Sequence, residues 1–178
     1  MIDLIRTVPD YPHEGVNFYD LNSLFSSPAW ATCVDDLANM CRTDYSYVTN
    51  IVGIESRGFV AGSALAHALR IPFTMIRKDG AKYPGDVFTQ SYDLEYGYDT
   101  LVLQQGILGH VNRVLLVDDL IATGGSIQAA DTLVKQTGAT VLGYVTVLNL
   151  AYLNDIENLT AWRTIDETIY TTGTSQVH

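Results

Sequence analysis

Cysteine is scarce in this 178-residue chain: only Cys33 and Cys41 occur, inside one helix-like stretch. Their spacing suits neither a disulfide framework nor a zinc site, and it fits a reduced, cytoplasmic setting. Long apolar runs are missing as well. No stretch of about 18 apolar residues occurs, so no transmembrane helix is expected. The opening MIDLIRTVPDYP lacks the basic head and apolar stretch of a signal peptide. Cations are few: ten Lys and Arg stand against twenty Asp and Glu, a formal charge of −10. So acidic a surface repels phosphodiester backbones and anionic lipid, which argues against nucleic acid and membranes as partners. Apolar residues, by contrast, make up 47% of the chain. That is enough for a sizeable core, argues against general disorder, and fits one domain over 1–178.

Because cations are rare, their placement is informative. Arg57, Arg70, Arg77, Lys78 and Lys82 fall in one window whose only acid is Asp79. Such a concentration either balances the protein's own carboxylates or builds an anion site.

The periodicity alternates between short apolar runs and amphipathic stretches. Ser27-Pro28 followed by AWATCVDDLANMCR reads as a helix, with Ser27 as its cap and Pro28 at its first position. YVTNIVGI at 47–54 predicts a buried strand, FVAGSALAHALR an Ala-rich helix and IPFTMIR at 71–77 the next strand. KDGAKYPGDVFTQ at 78–90 shows neither period and reads as a long mobile loop. SYDLEYG and TLVLQQ look like the arms of a small antiparallel excursion. RVLLVDD at 113–119 is the clearest strand, followed by a helix from about 125 to 136 that Gly138 ends, then a buried strand at 139–150. The last 28 residues look polar and irregular, with a short strand near TIYTT. The alternation predicts an α/β fold: a central parallel sheet with helices on both faces.

VLLVDDLIATGGS carries the most chemistry. It places Asp118 and Asp119 at the C-terminal end of a strand, where open α/β sheets bind ligands. In the turn that follows, Gly124 and Gly125 let the backbone come close to a ligand. Thr123 and Ser126 add hydroxyl donors, and the helix N-terminus adds partial positive charge. The turn is neither a Walker A loop, having no Lys, nor a dinucleotide GxGxxG motif. Carboxylates beside a phosphate cradle suit vicinal hydroxyls, so the segment reads as a holder for a sugar phosphate. On the bland alternative Asp119 only caps the turn. His13, His67 and His110 show no metal spacing.

VLLVDDLIATGGS closely resembles the phosphoribosyl-pyrophosphate signature of the type I phosphoribosyltransferases. VPDYPHEGVNFYD at 8–20, IVGIESRGF at 51–59, IRKDGAKYPG at 76–85 and SYDLEYG at 91–97 are similar to the adenine phosphoribosyltransferase branch. The resemblance runs in order from about residue 5 to 155. It implies the type I phosphoribosyltransferase fold, with a small N-terminal hood over the base from about residues 1–25 and a mobile catalytic loop over about 78–95. The implied activity is purine salvage: transfer of the 5-phosphoribosyl group from phosphoribosyl pyrophosphate to adenine, giving AMP and pyrophosphate.

The resemblance also implies roles. The sugar-phosphate loop maps onto Asp118, Asp119, Ala122, Thr123, Gly124, Gly125 and Ser126. The pyrophosphate loop maps onto Glu55, Ser56 and Arg57, with Arg77, Lys78 and Lys82 as further contacts, and on that reading the basic cluster is an anion site. Glu95, beside Tyr96, matches the catalytic carboxylate brought over the site, and Arg57 would stabilise the leaving group. The base segment maps onto Val16, Asn17, Phe18 and Tyr19, with Leu150 as an apolar wall. Mg²⁺ would bind through substrate rather than protein side chains, and a homodimer is implied. The chain departs from the pattern at Asn17, where an apolar residue is usual, at Tyr19, where Arg is usual, and at Asn149, where an acid is usual. An amide at 17 leaves a 6-oxopurine (hypoxanthine or guanine) as an alternative base. A non-catalytic regulator sensing the sugar pyrophosphate is the other alternative. The chain shows neither the basic face nor the appended DNA-binding segment such a protein would need.

Overall fold

The computed structural model describes residues 4–80, 83–94 and 97–166. A two-stranded antiparallel ribbon, β1 (Arg6–Val8) and β2 (Phe18–Asp20), leads into α1 (Asn22–Phe25) and α2 (Ala29–Asp44). Then follow β3 (Asn50–Ile54), α3 (Arg57–Leu69), β4 (Phe73–Lys78), β5 (Val87–Asp93), β6 (Tyr98–Gln104), β7 (Arg113–Ile121), α4 (Gly125–Gln136) and β8 (Thr140–Leu150). A single 3₁₀ turn (Ala151–Leu153) connects to β9 (Leu159–Ile165). The main sheet has seven strands in the order β5-β6-β4-β3-β7-β8-β9. From β4 to β9 every pairing is parallel, and β5 and β6 close one edge antiparallel.

The central strands are apolar at consecutive positions because both faces of the sheet are covered. Ile51, Leu115 and Val145 pack with Leu37 and Cys41 of α2 and Leu65 of α3. The alternate residues Val52, Ile54 and Leu116 pack on the other face with Ile127, Leu133 and Val134 of α4. Thus the parallel sheet with helices on both faces is present. α4 has the bounds the sequence predicts, and Gly138 follows it in the left-handed region at φ +84°.

Three expectations need correction. Ser27 does not cap α2: its hydroxyl donates to the Leu24 carbonyl, and Pro28 precedes the helix rather than opening it. The irregular stretch is shorter than 78–90, because β4 extends to Lys78 and β5 begins at Val87. β5 is half exposed, and its polar residues Thr89, Gln90 and Ser91 weaken the apolar alternation that would mark it. The C-terminal region is not irregular throughout. β9 adds a strand there, secured by Trp162, whose indole N–H donates to Asp36 of α2 at 3.0 Å. The strand expected near TIYTT, at 168–172, lies outside the described residues.

Candidate active site

Parallel strands end together, so the C-termini of β3, β4, β7 and β8 converge on one edge of the sheet, where loops and helix N-termini can surround a ligand. Three cavities adjoin there, and the half-buried Leu120 lines all of them.

The first cavity, about 370 Å³, lies between β2 and the end of β8. Val16, Asn17, Phe18, Tyr19 and Leu150, drawn from opposite ends of the chain, all line it. Tyr152 and Leu153 line it too. The sequence offered no sign of them beyond their nearness to Leu150. The Arg57 guanidinium sits 5.8 Å from the Phe18 ring centroid, and Tyr11 packs edge-on against that ring. Burial and a hydrogen bond with Tyr152 push the Tyr19 phenol up to about 12.

The second cavity, about 290 Å³, is polar. Glu55, Ser56 and Arg57 line it from the β3–α3 turn, Lys78 from β4, Asp118 and Asp119 from β7, and Ser126 from α4. Asp119 continues the alternate face of Leu115 and Val117 and so meets Arg57 at the start of α3. Arg57 Nε lies 2.9 Å from Asp119 Oδ2, an ion pair whose angles fall short of a hydrogen bond. Asp119 is 3% exposed, and among the described residues its Oδ2 is the buried side-chain polar atom lacking a hydrogen-bond partner. Its charge is met by the Arg57 guanidinium rather than by a hydrogen bond. Asp118 Oδ1 accepts the Asp119 backbone N–H at 2.9 Å. Burial raises both carboxyls above the usual range. At Asp118 the Asp119 charge adds to this, whereas at Asp119 Arg57 opposes it.

Thr123, Gly124, Gly125 and Ser126 line the third cavity, about 490 Å³, with Tyr92, Asp93 and Ala122. Gly124 takes φ +86°, which favours glycine, and α4 starts at Gly125. Asn154 secures this turn from beneath, its amide donating to the Ala122 carbonyl at 2.6 Å and to Asn149 Oδ1 at 3.0 Å. Ala122 also lines the first cavity.

The basic window does not act as one cluster. Arg70 ends α3, about 20 Å along the helix from Arg57. Arg77 does not line the polar cavity; its Nε lies 3.4 Å from Glu55 Oε2, and its guanidinium rests over Tyr83. Glu55 Oε2 also accepts the Lys78 backbone N–H at 2.9 Å. Lys78 Nζ is 2.7 Å from Asp99 Oδ2. Balancing of carboxylates and a cation-lined cavity therefore coexist. Lys82, Glu95 and Tyr96, expected at this site, lie outside the described residues. No group of three or more His, Cys, Asp or Glu among the described residues is placed to hold a metal. No helix among them is long and apolar enough to cross a membrane.

Residues 20–172 match the phosphoribosyl transferase domain family. The chain is 43% identical over 159 residues to the adenine phosphoribosyltransferase of Prochlorococcus marinus (strain NATL1A), covering 87% of this chain and 89% of that one. Adenine phosphoribosyltransferase from Saccharomyces cerevisiae, solved with an imino-altritol bisphosphate and adenine, is similar at TM-score 0.79 and 37% identity, over 84% of this chain and 86% of that one. The Giardia lamblia enzyme, solved with 9-deazaadenine, gives 0.82 and 33% over 92% and 94%.

Proposed function

Because this chain belongs to the phosphoribosyl transferase family, we propose that it transfers the 5-phosphoribosyl group of phosphoribosyl pyrophosphate to adenine. AMP and pyrophosphate leave, a reaction of purine salvage. The observation that carries this assignment is the buried acid pair between an apolar cavity and a glycine turn at a helix N-terminus. Adenine occupies the apolar cavity, with Phe18 stacking, Val16 and Leu150 as walls and backbone groups of 16–19 reading the base edge. The 5-phosphate takes the N–H groups and hydroxyls of the 123–126 turn. Asp118 and Asp119 accept the ribose hydroxyls, which adds a hydrogen-bond donor to the Asp119 Oδ2 that Arg57 already meets as an ion pair. Pyrophosphate takes the polar cavity.

The bond from ribose C1 to the pyrophosphate oxygen breaks, and its electron pair leaves with pyrophosphate. Adenine N9 forms the new bond to C1 and loses its proton. Positive charge grows on the sugar ring in an oxocarbenium-like transition state while negative charge grows on the leaving group. Arg57, Lys78 and Lys82 stabilise the departing charge, and cations held ready in a dry site are worth more than cations in water. Glu95 handles the purine proton. Closure of the loop between β4 and β5, together with the 1–25 hood, excludes water. Mg²⁺ fits the oxygen-rich edge of the polar cavity: substrate oxygens and water would hold it beside Asp118 and Asp119, and when bound it would neutralise phosphate charge. A homodimer and a cytoplasmic setting belong to the same proposal. The free, buried Cys33 and Cys41 support a reduced compartment.

Incubation with Mg²⁺, the sugar donor and each purine in turn, with chromatographic separation of products, tests the assignment. AMP from adenine is expected, with far less product from hypoxanthine or guanine and a kcat loss in Glu95→Gln. Preferred turnover of hypoxanthine would transfer the specificity to Asn17, and no product from any base would leave only a binding role.

A further inference from the structure

Asp99 sits on β6 and does not line the polar cavity, yet it touches two residues that do. Its Oδ2 accepts the Lys78 ammonium at 2.7 Å and the Tyr92 hydroxyl at 3.2 Å. Its Oδ1 accepts the Thr100 backbone N–H at 2.9 Å. Both carboxylate oxygens are engaged, so the group is fixed in place. The sheet explains the arrangement. Tyr92 and Asp99 are direct cross-strand partners on β5 and β6, and Lys78 pairs with Leu101, two residues beyond Asp99 on the same face of β6. Burial alone would raise the Asp99 carboxyl. Hydrogen bonds from Lys78, Thr100 and Tyr92 outweigh burial and hold it below its usual value.

Lysine is a point charge on a flexible stem and loses rotamer entropy when fixed. Lys78 is the last residue of β4, about half exposed, at the edge of the cavity. Without an anchor it would sample solvent. We propose that Asp99 is a positioning residue for the transfer reaction, holding the Lys78 ammonium at the mouth of the polar cavity so that the donor pyrophosphate meets it already placed. The inference rests on Lys78 being a pyrophosphate contact, as assigned above.

Steady-state kinetics of the full chain, with KM for donor and for adenine measured separately, test it in a double-mutant cycle alongside thermal melts. Lys78→Ala is expected to raise donor KM about tenfold, the scale of one charge-assisted hydrogen bond. Asp99→Asn, which keeps size and an acceptor for Tyr92, is expected to raise donor KM several-fold with adenine KM and the melting temperature nearly unchanged. In the Lys78→Ala background, Asp99→Asn should add nothing. A rise as large in that background as in the wild type, no rise in the wild type, or a fall in donor KM would overturn the positioning role. An unchanged donor KM in Lys78→Ala would instead overturn the assignment of Lys78 itself.

Discussion

Asp118 and Asp119 lie side by side near the end of β7, and burial lifts both carboxyls above the usual range. For Asp118, the negative charge of Asp119 is the second cause. A folded-state value above the unfolded one means that the native chain holds more protons between the two. Stability is therefore fullest below the ordinary carboxylate value and falls as pH rises toward the folded one. Asp118→Asn should remove that loss. Its amide oxygen can still accept the Asp119 N–H. The expected outcome is a higher melting temperature than wild type at about pH 8, a difference that vanishes near about pH 3, and weaker donor binding at both. A variant that melts below wild type at the higher pH would contradict this account of the acid pair. The motif was legible in the sequence because glycines, hydroxyls and acids meet in one short segment. Asp99 was not, since its role depends on strands that register it against Lys78 and Tyr92.

At the scale of elements, the approach of α3 to the sheet decides where Arg57 stands. Gly58 lies so near β7 that a Cβ there would fall 2.9 Å from both the Val117 carbonyl and Asp118 Oδ1. Gly58→Ala should lift the start of α3, destabilise the fold by about 1–3 kcal/mol as overpacking does, and raise donor KM by moving Arg57. Gly109→Ala is the control, because nothing lies within 4 Å of a Cβ there. Denaturant melts of the two variants measure the contrast, and equal stability would count against close packing of α3. Elements buried on both faces could be read from sequence: β3, β7, β8 and the helices between them. Those that complete the edges could not. β5 carries polar residues on a half-exposed strand, and β9 buries little beyond Trp162 and Ile165.

Across the whole molecule, the site joins parts far apart in sequence. Phe18 and Leu150 share one cavity, and Arg57 and Ser126 another. The acid pair and glycine turn were readable from their residues and Phe18, Leu150 and Arg57 through the family resemblance, but only the parallel register brings the strand ends to one edge. Tyr152 and Leu153 were missed for that reason, since their part follows from where β8 ends rather than from any local pattern. The protein is acidic overall, at −10, yet places Arg57 and Lys78 around the cavity assigned to its most highly charged ligand. Each is matched by a carboxylate, Asp119 for one and Asp99 for the other, which keeps the charges in place before substrate arrives. A crystal structure of the protein with AMP tests the central assignment most directly. The phosphate should lie within about 2.7–3.2 Å of N–H and hydroxyl groups of Thr123–Ser126, the ribose hydroxyls on Asp118 and Asp119, and the purine between Phe18 and Leu150. AMP bound elsewhere, with the acid pair and the glycine turn both empty, would contradict it.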